Sequence, residues 1–154
     1  MLTVKTRHGR VNFFRFHSLS IVAIAILALW IVLYCFADPS KHAGSFYGNA
    51  IADWSGTVVV IMATKYLFER GSEESRPVHG RLKSAFANFV RAHSLSIFLI
   101  VTGAVWFRLY LAMDSNSKWG QVVGNILSEW VQTLGLVLLT KRLLEKNSRE
   151  SKPC

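Results

Sequence analysis

The sequence predicts an all-α integral membrane protein, a four-helix bundle made of two tandem parallel repeats of a two-helix hairpin. Three observations predict it. The chain of 154 residues, 51% of them hydrophobic, gathers its apolar positions into four runs of about 17–20, each able to cross a hydrocarbon layer of roughly 30 Å. Its basic residues cluster beside alternate ends of those runs. Its second half repeats its first.

The four runs are expected as transmembrane helices over 19–36, 50–68, 95–113 and 126–144, within one membrane domain, 1–154. Helices are the only option, because four segments cannot close a barrel and open strand edges would go unsatisfied in lipid. Before the first run, Val11, Phe13, Phe14 and Phe16 alternate with Arg10 and Arg15. This is an apolar-and-basic pattern suited to the membrane interface. The first run is too long for a signal-peptide core, and its counterpart, the third run, cannot be a leader. Asp38-Pro39-Ser40 reads as a turn. Before the third run, Arg81 to Arg91 places Leu82, Ala85, Phe86, Phe89 and Val90 on one helical face. That pattern predicts an amphipathic interfacial helix and outweighs a calmodulin-type target. Ser18 and Ser94 stand where N-caps would fall.

Charge sets the orientation. Of the 18 Lys and Arg, fifteen flank one side: Lys5, Arg7, Arg10 and Arg15; Lys65, Arg70, Arg76, Arg81, Lys83 and Arg91; Lys141, Arg142, Lys146, Arg149 and Lys152. Lys41 and Lys118 alone occupy the other two loops, and Arg108 lies inside the third run. The positive-inside rule then puts both termini in the cytoplasm and both hairpin tips outside. The net charge of +9 is thereby assigned to anionic head groups as partner. Nucleic acid is not expected, since no aromatic-and-basic surface lies outside the runs. Cys35 and Cys154 fall on opposite sides, form no metal spacing and are expected to stay unpaired.

Shifting the chain by 76 residues aligns repeat one, 13–77, with repeat two, 89–153, without a gap, and about 26 of 65 positions are identical. Arg15-x-His17-Ser18-Leu19-Ser20-Ile21 matches Arg91-x-His93-Ser94-Leu95-Ser96-Ile97. Trp30, Tyr34 and Asp38 match Trp106, Tyr110 and Asp114, and Thr64-Lys65 matches Thr140-Lys141. Each unit holds two runs, so both should enter the membrane in the same direction, about an axis along its normal.

Polar residues inside the runs are the candidate functional groups, since they are costly in lipid. Asn49, Asp53, Thr57 and Thr64 fall on one helical face. Asn125, Glu129, Thr133 and Thr140 repeat the stripe, and Gln132 is added. Trp54 and Trp130 follow the acids and place them near the outer interface. Arg108 sits at a similar depth, where repeat one has Val32, so an ion pair with Asp53 or Glu129 is expected. The candidate ion site is therefore Asn49, Asp53, Asn125, Glu129, Gln132 and Arg108. The same stripes could instead set helix register through hydrogen bonds. His17 and His93 are weak haem or metal candidates, with too few ligands for a complete site. No nucleophile–base pair, phosphate loop or H-E-x-x-H pattern occurs, so neither an enzyme nor a cofactor is expected.

Ser128-Glu129-Trp130-x-Gln132, an apolar stretch and then Lys146-x-Ser148-x-Glu150-Ser151-Lys152 resemble the C-terminal signature of a family of small bacterial membrane proteins of unknown function. Gly71-Ser72-Glu73-Glu74-Ser75 fits the same ending. Ser18-Leu19-Ser20 and Ser94-Leu95-Ser96 fit the family's opening. Repeat one departs from the pattern, with Ala52-Asp53-Trp54-x-Gly56 in place of Ser-Glu-aromatic-x-Gln. The resemblance implies a bacterial plasma membrane and supplies no activity. Tandem-pore potassium channels share the two-run, loop, two-run layout, but these loops are too short for a filter and lack its sequence. The expected function is a small oligomeric ion or proton channel or carrier, with a non-transporting scaffold as the alternative and haem or metal binding as a further one.

Overall fold

The structure, a computed structural model, describes residues 5–72, 80, 82, 84–141 and 143. Arg76, Arg81, Lys83, Arg142, Cys154 and the ending from Lys146 to Lys152 lie outside them. The described residues form five α-helices and no strand: α1 (Lys5–Phe36), α2 (His42–Tyr66), α3 (Ala85–Ala92), α4 (Ser94–Ala112) and α5 (Lys118–Leu139). Three are long and apolar enough to cross a membrane, α1 over Phe13–Phe36, α4 and α5. The expectation was four. At 25 residues α2 has the length, but Asn49, Asp53, Thr57 and Thr64 dilute its hydropathy.

The aromatic lead-in and the first run are one continuous helix, with nothing to break it at His17. At the matching place in the second half the chain does break, at His93, between α3 and α4. The segment after α2 fills that break. Leu95 donates its N–H to the Phe68 carbonyl (3.0 Å), and Arg70 donates to the Ala92 carbonyl (2.7 Å). The first turn of α4 thus finds acceptors outside its own helix, as a helix N-terminus requires. Neither Ser18 nor Ser94 is an N-cap. Ser18 lies within α1 and its hydroxyl donates back to the Arg15 carbonyl. Ser94 is the first residue of α4, and its hydroxyl accepts from the Phe68 N–H at 2.8 Å. Side-chain caps come instead from Ser84 on α3 and Ser117 on α5.

Two tight turns close the hairpins in the same way. Asp38 accepts from the Ser40 amide (3.0 Å) and hydroxyl (2.7 Å), and Asp114 accepts from the Asn116 amide (2.9 Å). These are Asx turns, in which a short acid replaces a backbone acceptor. A Cβ at Gly44 would meet the Asp38 carbonyl oxygen at 2.0 Å, and one at Gly120 would meet that of Asp114 at 2.0 Å. Only glycine lets the turn fold back onto the next helix.

α1 packs on α2, α2 on α5, and α5 on α4. The shared core is small: Tyr34, Ile51, Ala52, Ala63, Leu95, Leu99, Val122, Ile126, Trp130 and Val137. The outer faces stay apolar and uncovered, as at Leu19, Val22, Leu29, Val101, Val105 and Phe107. Exposed apolar area on this scale is what a lipid solvent leaves on a protein, and water does not.

Candidate functional site

α2 and α5 meet along the polar stripe. The Asn125 side-chain amide donates to the Asn49 carbonyl oxygen at 2.5 Å. One turn on, Glu129 of α5 and Asp53 of α2 line the same cavity between the two helices. The two pairs follow the same order along both helices, so α2 and α5 run parallel. Glycine makes room for this approach: Glu129 Oε2 lies 3.6 Å from where a Cβ of Gly56 would be. A cavity of about 310 Å³ runs from the acid pair past Thr57, Thr64 and Thr133 toward Leu95 and Leu99 of α4. On the other side of the Asn pair, a second cavity of about 310 Å³ is lined by Tyr34, Ser45, Gly48 and Gln121.

Thr57, Thr64 and Gln132 bond within their own helices. Thr57 donates to the Asp53 carbonyl and Thr64 to the Val60 carbonyl, each on its own helix. Gln132 reaches Ser128 on α5 at 3.4 Å. Asn49, Asp53, Thr57, Gln121, Ser128 and Gln132 are exposed or half-buried, and so are Asn125 and Glu129. Trp130 is turned the other way, donating to the Thr102 hydroxyl of α4 at 2.8 Å.

Arg108 is not part of the site, and the expected ion pair is not formed. It is exposed on α4, nine residues on from buried Leu99, which is half a turn out of phase at 3.6 residues per turn. Among the described residues the ion pairs are those of Glu69. The histidines are held separately. The Nζ of Lys65 and Nδ1 of His17 are 2.8 Å apart, while His93 Nδ1 lies 2.6 Å from Glu69 Oε1. The described residues bring together no group of three or more potential metal ligands.

Glu69 is the polar centre that sequence reasoning missed. It is 1% exposed. Lys141 approaches its Oε1 at 2.5 Å, and its Oε2 accepts from the Ser96 amide at 3.1 Å. Beside it the Ser72 and Thr140 hydroxyls are 2.9 Å apart and buried. Burial pushes the Glu69 carboxyl up, but hydrogen bonds from Lys141, Ser96 and His93 outweigh it and hold the group below its ordinary value. The signal was present: an acid set among bases directly after the second run, with an acid again at position 145.

Fold and site define an all-helical protein with three helices able to cross a membrane and an acid pair between two of its helices. No protein-family profile matches the chain, and no curated protein or solved structure is significantly similar to it.

Proposed function

We propose that the chain is a four-span protein of a bacterial plasma membrane, built from two tandem parallel hairpins, with both termini cytoplasmic, that passes protons or small cations along the α2–α5 seam. The placement of Asp53 and Glu129 on the wall of one cavity between α2 and α5 carries this reading. Two carboxyl groups that share one cavity are suited to take up a proton or a cation there, because like charges in one site repel. Cavities lie on both sides of the acid pair and the Asn pair. Asn, Thr and Gln side chains supply oxygen ligands, which suit hard cations and water. Such a pathway needs no catalytic chemistry and no cofactor. The resemblance carried by Ser128-Glu129-Trp130-x-Gln132 supports the bacterial location.

The test is flux in proteoliposomes. Wild type is expected to dissipate an imposed proton or cation gradient, and Glu129→Gln to abolish that activity while keeping the melting temperature. Wild-type flux equal to that of empty liposomes, across several cations and pH values, rejects transport. The scaffold reading is favoured by one specific observation, the Glu69 ion cluster that ties the two hairpins together. It predicts that Glu129→Gln lowers stability with no functional loss. Haem or metal binding through His17 and His93 would first have to displace Lys65 and Glu69, and an absorbance spectrum of the purified protein decides it.

A further inference from the structure

The duplication lets one half of the chain be compared with the other. In the second half the ring of Phe89 lies 4.8 Å from that of His93, and His93 and Lys141 together grip the Glu69 carboxylate. The residues 76 positions earlier are Phe13, His17 and Lys65, and they repeat the arrangement. The Phe13 and His17 rings are 4.5 Å apart, and the Nζ of Lys65 stands 2.8 Å from Nδ1 of His17. Both side chains are half-buried. What the first half lacks is the acid. Among the described residues the ion pairs are those of Glu69, so Lys65 faces an imidazole where its counterpart faces a carboxylate.

We infer that His17 and Lys65 form a second carboxylate site, and that the carboxylate it takes is that of Glu145 in the same chain. The chemistry selects an anion. An ammonium group and an imidazole that can both donate match one oxyanion, and such charge-assisted bonds are the strong kind. A metal cation is a poor occupant beside Lys65. The repeat selects which anion. Lys65 to Pro77 and Lys141 to Pro153 share seven of thirteen residues, a higher share than the two repeats as wholes. Within that segment Glu69 recurs as Glu145, which lies outside the described residues. Glu69 follows the first hairpin and is held by the second. Glu145 follows the second, and His17 and Lys65 of the first complete a reciprocal exchange. The second site is the weaker one. Glu69 also accepts from the Ser96 amide at the start of α4, whereas the equivalent Ser20 lies inside unbroken α1, where its amide serves the helix. None of this depends on ions passing along the seam.

The test is a double-mutant cycle on the melting temperature of the full chain in nanodiscs. One set of nanodiscs is phosphatidylcholine alone and the other contains phosphatidylglycerol. Lys65→Met is expected to lower the melting temperature in both, by less than Glu69→Gln does. In a Glu145→Gln background that loss is expected to vanish, because the anion Lys65 held is already gone. A Lys65→Met loss that Glu145→Gln leaves untouched, or no loss at all, overturns the inference. A loss seen only with phosphatidylglycerol also overturns it, and gives the site to a lipid phosphate. A disulfide reads the same exchange should Lys65→Met not fold. On a Cys35→Ser, Cys154→Ser background the control is Ser72→Cys with Thr140→Cys, whose native hydroxyls are 2.9 Å apart. The equivalent pair, Thr64→Cys with Ser148→Cys, is expected to close within one chain, as a shifted monomer band on a non-reducing gel. Closure of the control without the equivalent pair, or a bond formed only between chains, overturns the inference.

Discussion

Glu69 shows what a single buried charge does when its partners are complete. An isolated carboxylate in this place would be neutralised, but a lysine, a histidine and a helix N-terminal amide keep it ionised. The amide contributes twice, as a donor and as part of the positive end of α4. Removing one side of such a cluster is worse than never building it, at about 3–5 kcal/mol. Glu69→Ala is therefore expected to lower the melting temperature in detergent more than Thr64→Ala, whose hydroxyl bonds only within its own helix. The low value of the group fixes the sign of its pH dependence. Its stabilisation is present above the unfolded value of about 4.3 and is lost as pH falls through the lower folded value. The lead of wild type over Glu69→Gln should shrink as melts are run below about pH 4.3; a lead that does not change with pH would mean the group is not ionised in the fold. The two turn glycines give a second residue-scale prediction. In each, a methyl group added at the Cα would sit 2.0 Å from a carbonyl oxygen. Gly44→Ala and Gly120→Ala should each cost about 1–3 kcal/mol, and calorimetry reads the loss.

At the scale of elements, the positions of the long helices were legible in the sequence because hydrocarbon thickness leaves little choice. Their ends were not. The first run was expected to begin at Leu19, yet α1 starts at Lys5, since nothing in Arg15-Phe16-His17 stops a helix already under way. The matching stretch of the second half does stop, because residues 68–70 insert their carbonyl and amide groups at that point, a tertiary event that no local pattern announces. The same holds for the site. The stripe Asn49, Asp53, Asn125 and Glu129 was visible as spacing, and the structure brings its members together. Arg108 was placed with them on depth alone, and depth does not say which way a helix is turned. The short helix α3 carries its own prediction. Phe86 is 76% exposed and Phe89 60% exposed, on a helix whose start is pinned by Asn88 bonds to Leu82 and Ser84. Those rings belong at the level of the head groups. A Phe86→Trp fluorophore is expected to be quenched by lipids brominated near the glycerol and not by lipids brominated at the chain end.

At the scale of the whole molecule, the question is whether three helices cross the bilayer or four. α2 lacks the hydropathy of the other three, but it lies between α1 and α5 along its length. A helix of 25 residues spans about 38 Å at 1.5 Å per residue, enough to cross. Part of its polar stripe is turned toward α5, where Asn125 bonds Asn49 and Glu129 shares a cavity with Asp53, so a share of the low hydropathy belongs to a face set against the neighbouring helix. Topology separates the two cases. If all four cross, Ser40 and Ser115 are outside and Ser84 is in the cytoplasm, in agreement with the distribution of Lys and Arg. If α2 lies flat, Ser40 and Ser84 share a side and Ser115 is opposite. Single cysteines at these three positions, on a cysteine-free background, are each exposed by the fold and so accessible to label. An impermeant maleimide added to intact cells is expected to modify Ser40→Cys and Ser115→Cys and to reach Ser84→Cys only after the membrane is opened. Labelling that groups Ser40→Cys with Ser84→Cys would leave three spans, take α2 out of the bilayer, and with it the proton or cation pathway.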